Sequence, residues 1–242
     1  MKYIFLKIFI ICGLWTAVCG LSLSDAQKDY LYGNYDEALS KAKSLRPTDE
    51  SLYFLGLVYT KTGDYLKARE YFRKLTHNFP DSRLYAQGLV KLADTYFFQK
   101  DYDNAQALYL EIRKRYPDLN TMPVVLLRLA QVSSKKGDWQ AKKNYLQLIS
   151  QKYPGCAEMQ YVKEIESYGD FFTIQIGAFS DKKNALYLAQ ALKEKYNIYV
   201  IEDKKQDYTI YKVRVGKYKN RYDAQQTAID LVNEGYPARI YP

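Results

Sequence analysis

The chain has 242 residues, of which 48% are apolar and 26% are charged, and its formal net charge is +9. This is the composition of an ordinary globular protein, which excludes a fibrous or low-complexity chain, and the length suffices for one large domain or two modest ones. The positive charge favours an acidic polymer or surface as the binding partner.

The first 20 residues have the features of a secretory signal peptide. A short basic segment precedes an apolar run of eleven residues, Ile8–Val18. The run is too short to span a membrane but has the length of the apolar part of a signal. Cys19 leaves a lipoprotein open as an alternative, although Val18 stands where a lipobox has a small residue. We expect export to the periplasm or cell envelope, with membrane attachment only if Cys19 is lipidated.

An internal repeat occupies residues 22–168. When the chain is shifted by 37 residues, small and aromatic residues recur at matching positions. The pattern predicts helical hairpins in which small residues allow close packing, Gly-Asp turns join the two helices, and a proline ends the second one. The residues that define the copies are Leu55, Gly56, Tyr59, Gly63, Tyr65, Ala68, Phe72 and Pro80, then Leu92, Ala93, Tyr96, Lys100, Tyr102, Ala105, Tyr109 and Pro117, then Leu129, Ala130, Ser133, Gly137, Trp139, Lys142, Leu146 and Pro154.

This pattern resembles the tetratricopeptide repeat. The period of 37 residues and joints such as Asn78–Ser82 make it similar to the exported repeats of envelope-assembly proteins. A shorter copy covers Gly33–Pro47, and a helix over Ala157–Tyr168 is expected to cap the stack. Lys142 and Lys100 depart from the small residues of the pattern, which suits terminal units with a polar outer side. The resemblance implies a curved all-α solenoid whose concave side holds a partner.

Residues 169–242 contain a second repeat. Shifting the chain by 39 residues places Gly177 on Gly216, and each copy predicts a strand, a helix and a shorter strand. The order βαββαβ predicts an α+β domain with a four-stranded antiparallel sheet and two helices on one face. The predicted strands are Phe172–Gly177, Ile198–Glu202, Thr209–Gly216 and Ala238–Tyr241, and the predicted helices are Asp181–Tyr196 and Asn220–Glu234.

Strand periodicity separates the side chains of the two sheet faces. Ile174 and Ile176, with Val213 and Val215, are predicted to point to the helices. The alternate residues form a polar, basic face that we expect to be uncovered and to bind a ligand, although such faces are often merely solvated. The residues predicted to bind on this face are Thr173, Gln175, Lys212, Arg214, Arg239 and Tyr241.

This C-terminal segment resembles a SPOR domain, a bacterial module that binds peptidoglycan. The resemblance is carried by Gln175 and Arg214, each between two aliphatic residues, and by the glycine and aromatic residue that follow each of these strands. It implies binding of glycan strands whose stem peptides have been removed, as occurs at the division septum. It also implies that the ligand lies on the open sheet face, with Gln175 among its contacts.

The residue types fit such a ligand. Removal of the stem peptide frees a lactyl carboxylate, and Arg214 and Lys212 can pair with carboxylates. Gln175 can both donate to and accept from an N-acetyl group. Tyr241, or Tyr211 if its strand is bulged, can cover an apolar sugar face.

The sequence contains no metal-spaced Cys/His cluster, phosphate-binding glycine loop or nucleophile–base set, so we predict a non-enzyme without metal or cofactor. His77 is predicted to be solvated in the last turn of a helix. Cys156 would be the only cysteine after the signal, which excludes an internal disulfide, and we expect it to be a small helix residue.

These features predict residues 1–20 as signal peptide, 21–168 as repeat solenoid and 169–242 as SPOR-like domain. The favoured function is an exported adaptor that binds denuded, septal glycan strands and recruits an envelope or division protein. The alternative is a scaffold for envelope assembly or secretion. In that case the repeats carry out the function, and the last domain only anchors the protein to the wall. We expect no nucleic-acid binding, because Lys212–Tyr218 lacks the alternating aromatics of an RNA-recognition strand.

Overall fold

A computed structural model describes residues 22–242; the expected signal peptide and Cys19 lie outside the described residues. The described part of the chain is a stack of helices followed by an antiparallel sheet with two further helices, which confirms the predicted fold class. The helices of the stack are α1 (Leu23–Leu31), α2 (Tyr35–Ser44), α3 (Asp49–Lys61), α4 (Tyr65–Asn78), α5 (Tyr85–Phe98), α6 (Tyr102–Arg115), α7 (Met122–Lys136), α8 (Trp139–Lys152) and α9 (Met159–Ser167).

Each hairpin of the repeat turns at a residue with a left-handed backbone. Gly63 and Gly137 have φ values of 83° and 79°, and Lys100 adopts 63° at the equivalent position although it carries a side chain. The aspartate after each of these residues accepts a hydrogen bond from a backbone N–H of the following helix. This cap pairs an N–H group that the helix itself leaves unpaired.

The interior of the stack follows the predicted pattern of small and aromatic residues. Ala68 and Ala105 are fully buried, as are Phe72 and Tyr109 one turn later. A Cβ atom on Gly56 would lie 2.5 Å from the Phe72 ring, so α3 and α4 can approach this closely only at a glycine. The short helix α9 then packs on α8 and closes the stack.

The elements of the C-terminal part are β1 (Phe172–Phe179), α10 (Lys182–Leu192), β2 (Ile198–Lys204), β3 (Thr209–Tyr218), α11 (Arg221–Asn233) and β4 (Arg239–Tyr241). The strand order is β2-β3-β1-β4, and every neighbouring pair is antiparallel. In β1 and β3 pairing continues beyond the glycines. These two strands and β2 each end two residues later than predicted, whereas α10 ends four residues earlier.

One face of the sheet is covered by α10 and α11, as predicted. Ile174, Ile176, Val213 and Val215 are buried in a cluster with leucines and alanines of both helices. Alternation along the strands therefore turns the neighbouring polar side chains to the opposite face.

The stack and the sheet are joined through α8 and the start of β1. The Trp139 ring lies 5.1 Å from the Phe172 ring, and its Nε1–H donates to the carbonyl oxygen of Lys219 over 3.0 Å. Lys142 is only 3% exposed, and its Nζ lies 2.5 Å from a carboxylate oxygen of Asp170. The prediction that Lys142 marks a polar outer side is therefore wrong, because this junction covers the end of the stack.

Candidate functional site

Strand register brings most of the predicted binding residues together. Gln175 in β1 is paired with Arg214 in β3 on one side and with Arg239 in β4 on the other. Thr173 is paired with Tyr241 in the same way. Because paired residues of antiparallel strands project from the same face, these side chains form one continuous surface.

Part of this surface faces a cleft between the sheet and the helical stack, which we call the junction cleft. Its cavity volume is about 700 Å³, within the usual range of small-molecule sites. The sheet wall includes Thr173, Tyr199, Lys212, Arg214 and Tyr241. The opposite wall includes Arg128, Gln131 and Lys135 of α7, Tyr161 and Glu164 of α9, and Tyr168 and Phe171 of the connection to β1.

The expectation of an uncovered face is therefore wrong. Thr173 is 5% exposed and Arg214 is 8% exposed. The cause is the four-residue connection 168–171 between α9 and β1, together with the ion pair between Lys142 and Asp170, which hold the sheet close to the helices. The cavity nevertheless leaves room for a ligand beside Arg214.

The predicted residues divide into two sets. Those that line the junction cleft are Thr173, Lys212, Arg214 and Tyr241, whereas Gln175 and Arg239 do not line it. The Oε1 atom of Gln175 is buried and accepts no hydrogen bond from the residues that the structure describes. Gln175 thus lies beside Arg214 in the sheet with an unused acceptor, outside the lining of the cleft.

Arg214 is the central cation of the sheet wall. Its guanidinium carbon lies 4.2 Å from the centre of the Tyr241 ring. Its Nε is buried and has no hydrogen-bond partner among residues 22–242. Burial lowers the pKa of Arg214, because a desolvated guanidinium loses the hydration that favours its charge. An anion in the cleft would supply the missing partner.

Lys212 is less free to pair with an anionic ligand than the sequence suggested. Its ammonium group donates to Asp203, which also pairs with Lys205. Hydrogen bonds from both lysines lower the pKa of Asp203, so this carboxylate stays charged and neutralises Lys212. Lys212 therefore contributes less than Arg214 to the attraction of an anion.

Several aromatic residues of the cleft were not predicted. The Tyr199 hydroxyl donates to Thr173 Oγ1 over 2.8 Å, and Lys217 lies over the rings of both Tyr199 and Phe171. Alternation along β2 could have placed Tyr199 on this face. Burial and a hydrogen bond to Glu164 raise the pKa of Tyr168 to about 12, and no local pattern indicates its position.

Tyr211, the predicted alternative to Tyr241, lies elsewhere. It packs with the cluster between the sheet and its helices, on the face away from the cleft. The register shifts of the β1–β3 pair lie between Phe172 and Ile174 and between Gln175 and Gly177. Tyr211 pairs with Phe179 beyond both shifts, so neither changes the face on which Tyr211 lies. Tyr241 is therefore the tyrosine that lines the cleft beside Arg214.

Other predicted features lie outside the cleft. His77 is exposed in the last turn of α4, and Cys156 lies half-buried in the turn between α8 and α9 rather than in a helix. Within residues 22–242 no group of His, Cys, Asp and Glu side chains is arranged to hold a metal ion. None of the described helices combines the length and apolar character that a membrane span requires.

Comparison with known families identifies segments in both parts of the chain. The SPOR domain family matches residues 168–240, and tetratricopeptide repeat families match residues 47–118 and 124–155. These matches confirm both resemblances noted in the sequence. A SPOR domain implies peptidoglycan binding and a location at the cell wall, and the repeats imply protein–protein interaction; both are binding modules rather than catalytic families.

The solved structure of PilW, described as a widely conserved type IV pilus biogenesis factor, is similar to the chain in fold, with 16% identity, a TM-score of 0.51, and coverage of 61% of this chain and 70% of that chain. The chain also matches pilF of Pseudomonas aeruginosa, with 20% identity, a TM-score of 0.45, and coverage of 58% of this chain and 64% of that chain. No curated protein sequence matches the chain.

Proposed function

We propose, because a SPOR domain follows tetratricopeptide repeats in this chain, that the protein is an exported adaptor of the bacterial cell envelope. Its SPOR domain binds peptidoglycan glycan strands that have lost their stem peptides, as at the division septum. Its repeats recruit an envelope or division protein. In this proposal residues 1–20 are a signal peptide, residues 21–168 the solenoid and residues 169–242 the glycan-binding domain.

The observation that carries the proposal is the state of Arg214. Arg214 as a whole is 8% exposed and its Nε has no hydrogen-bond partner among the described residues, and a buried charge of this kind is unfavourable unless an anion pairs with it. The lactyl carboxylate of a denuded muramic sugar has the charge and planar shape that Arg binds through two hydrogen bonds. A stem peptide attached to the same carboxyl group would convert it to an uncharged amide and remove this contact.

The neighbouring side chains supply the other contacts of a sugar. Tyr241 offers a ring for the apolar face of a pyranose. Gln175 offers an unused amide oxygen for the N–H of an N-acetyl group. Thr173 and Tyr199 form a hydroxyl chain on the sheet wall of the cleft. Arg239 adds positive charge next to Gln175 in the sheet, whereas Lys212, which is paired with Asp203, contributes less. No step of this binding needs a metal, a cofactor or catalysis.

The repeats offer a separate surface for a protein partner. A groove of about 760 Å³ lies between α3 and the turn before α5. Tyr53 and Leu57 contribute apolar surface to it. Its charged residues are mostly acidic, three against one basic residue: Asp49, Glu50 and Asp81 against Arg83. This combination suits an extended segment that carries Lys or Arg beside apolar residues. We place the recruited envelope or division protein in this groove.

The alternative scaffold function has one observation in its favour. The solenoid partly covers the binding face, so the sheet is less accessible than a free SPOR domain would be. If the repeats are the working part, loss of glycan binding would leave assembly or secretion unaffected and would change only where the protein resides.

Binding of the full chain to isolated sacculi tests the proposal. We expect more binding after amidase treatment, and loss of that gain in the double variant Gln175→Ala, Arg214→Ala. Lys183→Ala, an exposed cation of α10 on the opposite side of the sheet, is the matched control and should bind like the unaltered protein. Equal binding to treated and untreated sacculi would reject the denuded glycan as the ligand.

Localisation separates the two functions. A fluorescent fusion of the full chain should concentrate at the septum, and the double variant should become diffuse in the envelope and lose its division partner there. If the partner complex still forms at its usual site with the diffuse variant, the scaffold function is the correct one.

A further inference from the structure

The helical wall of the junction cleft carries a basic side chain that the SPOR domain itself does not contain. Lys135 of α7 lines the same cavity as Arg214. In the part of the chain that the structure describes, Lys135 forms no ion pair, and the cavity lies between it and the sheet. The cleft is thus bordered by positive charge on two walls that belong to different structural units.

The surroundings of Lys135 leave its charge uncompensated. Burial lowers the pKa of Lys135, and the nearby positive charges of Arg221, Arg239 and Lys100 lower it further. The next residue, Lys136, is different: it is exposed and donates to Asp103 and Gln106 on α6. Two adjacent lysines of one helix therefore face two environments, and only one of them lacks an anion.

The acidic residues of the cleft are already engaged with other groups. Asp203 binds two lysines, Glu202 pairs with Lys182 over 2.7 Å, and Glu164 accepts a hydrogen bond from Tyr168 over 2.8 Å. Within residues 22–242 none of these carboxylates forms an ion pair with Lys135 or Arg214. The empty volume between these two cations therefore favours a ligand that brings its own negative charge.

We propose that the solenoid is part of the glycan-binding site, with Lys135 of α7 binding one anionic group of the glycan while Arg214 of β3 binds another. The ligand class is a peptide-free glycan that carries more than one free carboxylate. This inference rests on the proposed function and extends it: the repeats do not only recruit a protein but form the second wall of the sugar site. A glycan with a single free carboxylate can pair with only one of these two cations and therefore binds more weakly.

The test compares two neighbouring lysines in the full chain. With soluble peptide-free glycan chains as the probe, we expect Lys135→Ala to lose roughly tenfold in affinity, the effect of one charge-assisted contact, and Lys135→Glu to lose more. Lys136→Ala, which removes an exposed charge of the same helix, should leave the affinity within about twofold. Thermal unfolding of each variant verifies that the fold is retained, and Lys135→Gln replaces Lys135→Ala or Lys135→Glu if either fails to fold.

The outcomes separate this inference from the proposed function. If Lys135→Ala binds like Lys136→Ala while Arg214→Ala loses binding, the SPOR domain binds glycan alone and the composite site is rejected. If the unaltered chain itself shows no preference for peptide-free glycan, the proposed function fails first.

A second probe is glycan whose carboxyl groups have been amidated. It should bind the unaltered protein and Lys135→Ala equally weakly. A persisting difference in affinity between the two proteins would show that Lys135 does not act on the carboxylates.

Discussion

Lys142 and Asp170 form the contact that places the helical stack against the sheet. The Nζ of Lys142 lies 2.5 Å from one carboxylate oxygen of Asp170, and Lys143 lies 2.6 Å from the other. Lys142 occupies the position where other copies of the repeat have a fully buried alanine, Ala68 or Ala105. The last hairpin has thus replaced a packing residue by a charged one, and the start of the SPOR domain supplies its counterion.

Loss of this counterion should destabilise the protein. Asp170→Ala would leave the Lys142 ammonium buried without a partner, at a cost of about 2 kcal/mol in the free energy of unfolding, below the usual range for a buried pair because Asp170 is partly exposed. Lys143→Ala removes the exposed half of the same cluster and should cost less than about 1 kcal/mol. Denaturant unfolding measures both; equal costs would mean that Lys142 finds another partner.

The ion pair between Lys142 and Asp170 should make the stability of the protein depend on pH. Burial alone would raise the pKa of Asp170, but hydrogen bonds from Lys142 and Lys143 outweigh it and leave the pKa below its ordinary value. A lowered pKa in the folded state stabilises the protein above the unfolded value of about 4, and this contribution is lost as the pH falls below it. The stability difference between the unaltered protein and Asp170→Asn should therefore shrink between about pH 6 and about pH 3. A difference that is constant over this range would contradict the ion pair.

Gly216 should be the least replaceable glycine of the sheet. Its φ is +66°, and a Cβ there would collide with the Tyr218 ring. We expect Gly216→Ala to cost roughly 2–3 kcal/mol, from backbone strain and overpacking together. Gly33→Ala is the control, because Gly33 has φ +84° with no atom within 4 Å of the added Cβ, and it should cost only about 1 kcal/mol. Thermal unfolding measures both variants. The difference between their losses of stability is the cost of the collision with Tyr218, because both variants carry the backbone strain.

Lys100 tests the same backbone strain in the opposite direction, because here a side chain already stands at a position where the other hairpins have glycine. It adopts φ 63° where Gly63 and Gly137 stand in the other hairpins. Lys100→Gly should relieve this strain and stabilise the protein by up to about 1 kcal/mol, less the greater entropy of glycine in the unfolded chain. Gly63→Lys should destabilise it by a similar amount. The midpoint of thermal unfolding should therefore rise for the first variant and fall for the second.

Tyr241 should contribute its ring rather than its hydroxyl to ligand binding. The guanidinium carbon of Arg214 lies 4.2 Å from the centre of its ring, and its hydroxyl forms no hydrogen bond with the described residues. Tyr241→Phe should bind peptide-free glycan about as well as the unaltered protein. Tyr241→Ala should lose roughly five- to tenfold in affinity through the lost ring contacts. Equal losses in both variants would assign the contact to the hydroxyl.

Much of the architecture was predictable because it is repeated. The 37-residue period identified the hairpins, and the alternation in β1 and β3 identified which residues face α10 and α11. The site was predicted only in part: Thr173, Arg214 and Tyr241 line the cleft as a sheet face should, but Gln175 does not line it and Lys212 is neutralised by Asp203. Periodicity places a side chain on a face but does not indicate which charges meet there.

The sequence by itself determined the elements and their faces, because hydrophobic period, turn glycines and capping aspartates act over a few neighbouring residues. Only the tertiary structure decided that the basic face of the sheet is one wall of a cleft. That outcome depends on contacts between distant segments, Lys142 with Asp170 and Trp139 with Phe172. Each of these residues taken alone is typical of an exposed surface or an ordinary core, and their effect appears only when the two units are docked.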